Sequence, residues 1–315
     1  MVFTLKKLIV AIRALSVTDF RQIAAVVNAR CTSCEEDVVV RDRASSVCRC
    51  PRCHSGIFAK WGKGRQGLQR FRCKACGTTF NGFTGTRFAY MKKREKLLAH
   101  ARCMVEGFSI RRTAKVLGIH SSTAFSWRHR CLTRPEQLNP DLLGGIVEAD
   151  ETYFLQSFKG QRHDLPRKPK KRGTPAEKRG LSKEQVPVFT AQSRSVTAVL
   201  SGVLASRKYQ DIDAFLAPHL TPDVLLMTDG LSAYRKMSVV HDFAYRVVPA
   251  HPQKKTHGLL HLNNINAYHN RLKSWIARFR GVATKYLSNY LGWHRMLDAA
   301  RQLMTPELFL AVSWD

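Results

Sequence analysis

Between residues 144 and 300 the apolar runs come in one particular order. Strand-like runs at 146–154, 187–192 and 196–203 are followed by a helix-like run at 208–217. Further strand-like runs at 223–228 and 243–248 come next, with a helical stretch opening near Asn263. Short apolar runs bounded by turn residues read as strands, and longer runs with a 3.6-residue period read as helices. Strands that alternate with helices bury a sheet between helical layers, so this segment reads as one α/β domain.

Two of those strands carry an acid where burial is costly. Asp150 lies inside Ile146-Val147-Glu148-Ala149-Asp150-Glu151-Thr152-Tyr153-Phe154, and Asp229 closes Leu225-Leu226-Met227-Thr228-Asp229-Gly230. Side chains on a strand alternate between faces. Glu148 therefore shares the face of Asp150 and is the reserve ligand, while Glu151 points the other way. On the helix, Asn263, Asn266, Asn270 and Lys273 recur at helical spacing and make one polar stripe. Ile265, Leu272, Trp275, Ile276 and Phe279 form the adjoining arc, which should face the sheet. Acid, acid and polar amide on strand, strand and helix suit a site for Mg²⁺ or Mn²⁺, because such ions take few protein oxygens and keep waters. Two ions about 4 Å apart activate an attacking oxygen and offset charge on a phosphate. The order of strands and helices is that of an RNase H-like mixed sheet.

Upstream, residues 31–85 hold seven of the nine cysteines. Cys50-Pro51-Arg52-Cys53 and Cys73-Lys74-Ala75-Cys76 stand nineteen residues apart, the spacing of a zinc ribbon in which four thiolates close around Zn²⁺. Between them Lys60, Lys63 and Arg65 make a basic hairpin tip that suits DNA. Cys31, Cys34 and Cys48 fall outside the pattern, as a second metal site or as structural thiols. Residues 90–132 read as a helix-turn-helix: Ala114 and Leu117 on one helix, Gly118 at the turn, Ser121 as cap of the next. That second helix carries Arg128 and Arg130, in position to enter a major groove. Residues 1–30 read as a packing helix, and 301–315 as a tail.

A formal charge of +29 implies a polyanionic partner, the alternative being a generically basic protein with solvated charge. Within the α/β domain the charge gathers in a basic loop, 159–183, where Arg167, Lys168, Lys170, Lys171 and Arg172 suit a clamp on a DNA backbone. A membrane is the other polyanion, but no apolar stretch approaches a span in length, and Leu8–Ile12 is broken by Arg13 with no cleavage site after it. The expectation is a reducing cytoplasm, where clustered cysteines are metal ligands before they are disulfides.

The motifs together resemble bacterial insertion-sequence transposases of the DDE type, with an N-terminal zinc ribbon and an RNase H-like catalytic domain. The likeness rests on the two Cys-x-x-Cys knuckles, Val147–Thr152, Thr228-Asp229-Gly230, Asn264–Lys273 and the run Arg278–Trp293. It implies a catalytic triad of Asp150, Asp229 and Asn266 with Lys273 as basic companion, the Asp-Asp-Asn-Lys subtype. It also implies double-stranded DNA as partner, both terminal inverted repeats and target, a homo-oligomer on DNA, and Mg²⁺ (or Mn²⁺) with Zn²⁺ as cofactors. A regulator derived from such an enzyme but lacking catalysis, or an endonuclease that cuts without joining, would share much of this pattern.

Overall fold

The computed structural model describes residues 43, 47–64, 67–137, 139–140, 142–161, 163–165, 176, 182, 184–195, 198–248, 258–300 and 303–314. The helix expected over 1–30, Cys31, Cys34, Arg65 and the five basic residues from Arg167 to Arg172 lie outside them. The chain runs β1 (Phe58–Lys63), β2 (Gln69–Cys73), β3 (Thr79–Phe80), α1 (Leu97–Val105), α2 (Ile110–Leu117) and α3 (Ser121–Gln137). It continues through β4 (Ile146–Leu155), β5 (Gln185–Ser193), β6 (Val199–Val203), α4 (Tyr209–Leu216), β7 (Leu225–Thr228), α5 (Ser232–Val240) and β8 (Ala244–Val247). It ends on α6 (Asn263–Ala277), α7 (Leu287–Ala300) and α8 (Pro306–Trp314). Two compact units result: Met1–Ala124 with Thr305–Asp315, and Phe125–Met304, so the boundary falls inside α3.

In the first unit β1, β2 and β3 form an antiparallel sheet. Its small core is Phe58, Phe71 and Phe80, with ring centroids 5.3–5.8 Å apart, beside Cys50 and Cys73. The helical part follows from local signals. The Ser109 hydroxyl accepts from the Arg112 N–H and so caps α2. Gly118 ends that helix at φ 59°, a left-handed position that glycine takes without strain. Lys96 Nζ donates to the Leu117 carbonyl at the same helix end. The stretch expected as a tail instead contains α8. It packs against α1, and Trp314 meets Phe83 and Phe88 edge-on at 5.5 and 4.9 Å.

The second unit is built on a five-stranded sheet of order β6-β5-β4-β7-β8. The first three strands are antiparallel neighbours, and β7 and β8 run parallel to β4. Three antiparallel strands followed by two parallel ones reached through helices make an RNase H-like mixed sheet. One face of β4, with Val147 and Ala149, joins Phe189, Leu226 and the α4 and α5 residues Ile212, Leu216, Tyr234 and Met237 in the main core. The opposite face of β4 and β5 receives α6, and α7 lies on β6. The apolar arc expected on α6 is buried, from Ile265 to Ile276. Behind it, Trp275, Phe279, Tyr290 and Trp293 pack ring on ring.

Candidate active site

The sheet brings the two distant acids together. β4 and β7 pair in parallel with Glu148 opposite Met227, and two residues further along that register Asp150 stands level with Asp229. Asp229 follows the last residue of β7, and Gly230 turns the chain away at φ 100°. A side chain at 230 would meet Val247 Cγ1 at 2.9 Å, so glycine alone fits there. Glu151 joins the pair: carboxylate oxygens of Asp150, Glu151 and Asp229 all lie within 4.8 Å of one another. Glu151 does leave the other face of β4, as alternation requires, but that face also opens on Asp229. Tyr234 Oη donates to Glu151 Oε1 at 2.5 Å, and Arg207 lies 3.1 Å from Oε2. Burial, offset in part by the Glu151 N–H and reinforced by the charges of Glu151 and Asp229, pushes the Asp150 carboxyl up to about 7. Three crowded carboxylates of this kind are what a divalent cation relieves, and all-oxygen donors suit Mg²⁺ or Mn²⁺.

Glu148 is not a spare ligand. It is fully buried, and its carboxylate is spent on the start of α6. The N–H groups of Asn264 and Ile265 both donate to Oε2 at 3.0 Å, and Asn264 Nδ2 donates to Oε1 at 2.7 Å. Arg194 Nε reaches Oε1 at 2.6 Å, while its other nitrogens hold the carbonyls of Leu259 and His261, both at 2.7 Å. No side chain of its own caps α6. A strand carboxylate does so, where the exposed N–H groups and the helix dipole favour negative charge.

That cap fixes which residues of α6 face Asp150. His269 is buried, with Nδ1 3.7 Å from Asp150 Oδ2 and Nε2 2.5 Å from Thr190 Oγ1. Burial, aided by the charge of Lys273, depresses this imidazole to about 4, so it is neutral near pH 7. Asn266 and Lys273 lie one turn before and one turn after His269, both exposed. Among the described contacts the Asn266 amide hydrogen-bonds to neither acid.

In the first unit Cys50, Cys53, Cys73 and Cys76 form a second cluster, all sulfurs within 4.8 Å. The Cys53–Cys73 and Cys50–Cys76 sulfurs are 3.5 and 3.7 Å apart. Thiolates placed tetrahedrally at zinc–sulfur bond length stand ~3.8 Å apart. The cluster fits a zinc ribbon. Cys48 is exposed and outside it.

The basic residues divide. Lys60 and Lys63 are exposed on β1, and Arg130 is half-buried on α3. Arg128, expected to contact DNA, is buried with 1% exposure. Its guanidinium lies over the rings of Trp293 and Phe279, 5.1 and 5.5 Å from their centroids, and donates to Tyr290 Oη at 3.3 Å. It is a packing residue of the second unit, because the cation is stacked rather than left bare.

Residues 142–293 match the family described as ISXO2-like transposase domain, and the match spans Asp150, Asp229, Asn266 and Lys273. A protein of Halobacterium salinarum described as "Uncharacterized protein in transposable element ISH50" is 28% identical over 247 residues, covering 77% of this chain and 82% of its own length. These matches support an insertion-sequence transposase. Among solved structures, a simian T-cell lymphotropic virus intasome in complex with a PP2A regulatory subunit aligns at TM-score 0.31 and 10% identity. That alignment spans 62% of this chain and 66% of the other, just under two thirds. The Mos1 transposase paired-end complex aligns at TM-score 0.25 and 11% identity, over 69% and 79%. Likenesses that weak add nothing to what strand order shows. No helix among the described residues is long and apolar enough to cross a membrane.

Proposed function

We propose that this chain is a DDE-type transposase of the Asp-Asp-Asn-Lys subtype, which cuts at the ends of its element and joins them to target DNA. The observation that carries the reading is the approach of Asp150 and Asp229 to within 4.8 Å, on parallel neighbours of an RNase H-like sheet inside a segment similar to a transposase domain. Asp150 and Asp229 hold Mg²⁺ or Mn²⁺, and Asn266 adds its amide oxygen. Bound cations supply charge neutralisation at the phosphate and lower the pKa of the attacking oxygen. Lys273, exposed one turn beyond His269, grips a DNA phosphate beside the site. Glu148 and Arg194 hold the start of α6, the helix that carries Asn266 and Lys273.

Hydrolysis first frees a 3′-hydroxyl at each element end. That hydroxyl loses its proton and attacks a target phosphorus, and the bond from phosphorus to the target's own 3′ oxygen breaks. The ribbon, with Lys60 and Lys63 exposed, and the helix-turn-helix bind the terminal inverted repeats. The loop 159–183 clamps the backbone, and the protein acts as a homo-oligomer in the cytoplasm, on DNA. The test is cleavage and strand transfer on labelled element ends with Mg²⁺ or Mn²⁺. Wild type should cut and join, and Asp150→Ala and Asp229→Ala should do neither. Joining by either variant would overturn the reading, and cutting without joining by wild type would leave an endonuclease.

A further inference from the structure

One donor beside Asp150 has no part in the reading above. The Thr190 hydroxyl has a single hydrogen, and its oxygen lies 3.0 Å from the Asp150 carbonyl and 2.5 Å from His269 Nε2. The carbonyl can only accept, so the hydroxyl donates to it and itself accepts from Nε2–H. The reverse arrangement would put the ring hydrogen on Nδ1, facing Asp150 Oδ2 at 3.7 Å, too far for a hydrogen bond. Nδ1 therefore presents a lone pair to a carboxylate oxygen. The other Asp150 oxygen, Oδ1, is already occupied by the Glu151 N–H at 2.8 Å. The two atoms thus face each other across 3.7 Å, too far apart for a hydrogen bond. Ligands of one octahedral cation, bound at about 2.1 Å, stand roughly 2.9–4.2 Å apart.

We propose that His269 Nδ1 is a ligand of a divalent cation shared with Asp150 Oδ2, next to Asn266 one turn earlier on α6. The inference rests on the reading of Asp150 as a metal ligand. Asn266 brings a neutral amide where a carboxylate would bring charge, and the imidazole supplies the further donor. A nitrogen donor suits transition ions better than Mg²⁺, so the site favours an ion such as Mn²⁺. Thr190 acts as the positioning residue: by taking the Nε2 hydrogen bond it fixes which nitrogen faces the ion.

The experiment is pulsed electron paramagnetic resonance of Mn²⁺ added to the full-length protein, with affinity measured alongside. Wild type should show nitrogen hyperfine coupling of a directly bound imidazole. In His269→Gln, which keeps an N–H for Thr190, that coupling should vanish and Mn²⁺ affinity should fall by at least about tenfold. His269→Asn, with an amide oxygen near the place of Nδ1, should recover part of the affinity without the coupling. Mn²⁺ binding that needs Asp150 and Asp229 but shows no nitrogen coupling, or coupling unchanged in His269→Gln, would overturn this inference alone. Mn²⁺ binding indifferent to Asp150→Ala and Asp229→Ala would overturn it together with the reading of the acids.

Discussion

Replacing Glu148 by alanine separates an acid that builds the site from acids that act in it. The side chain is fully buried, and its removal leaves Arg194 Nε and the N–H groups of Asn264 and Ile265 without their acceptor. Breaking a buried pair from one side costs about 3–5 kcal/mol. A domain the size of Phe125–Met304 shifts its melting temperature by roughly 2–4 °C per kcal/mol, so Glu148→Ala should melt about 6–20 °C lower. Glu148→Gln should fall between, since its amide oxygen still accepts from one N–H while its NH₂ opposes another donor. Circular-dichroism melting reads both. A loss under ~2 °C for the alanine variant would mean that the carboxylate does not hold the start of α6.

Asp150→Asn should do the opposite. Burial first, then Glu151 and Asp229, raise its carboxyl from 3.8 to about 7 in the folded chain, so the charged form is disfavoured there. Without divalent metal, wild type loses that stability as pH rises from 3.8 through about 7, and the advantage of Asp150→Asn grows over the same window. An advantage flat across that range refutes the assignment. Cys73→Ser should release the zinc, about one ion per chain in wild type. Plasma mass spectrometry checks this, and metal retained by the variant would dismiss the four-thiolate site. Arg128→Ala should lower the melting temperature through lost packing yet leave the salt slope of DNA binding unchanged. A slope smaller by ~1 would return Arg128 to the interface.

The strand order and the pairing of Asp150 with Asp229 were legible because both rest on local pattern. Apolar runs mark strands, and an acid within one strand meets an acid just past the end of its parallel neighbour when the register sets them level. The Cys-x-x-Cys spacing was legible for the same reason. What escaped were side chains whose role is set by reach across the fold. Alternation gives the direction in which Glu151 leaves β4 but not where its carboxylate ends. Glu148 and Arg194 are far apart in sequence, and no local signal tells that the carboxylate meets the start of α6. Arg128 left a trace: it continues the helical stripe of Ala124, Cys131 and Leu132, all buried. A charged residue on such a stripe reads as a surface group because arginine is rarely buried without partners.

The seat of Trp314 against Phe83 and Phe88 has a consequence for synthesis. Ribosomes deliver residues in order, so the first unit waits for α8 until the whole of Phe125–Met304 has been made. A chain stopped before residue 306 lacks Trp314 and leaves Phe83 and Phe88 without that cover. Only chains that reach α8 hide that surface.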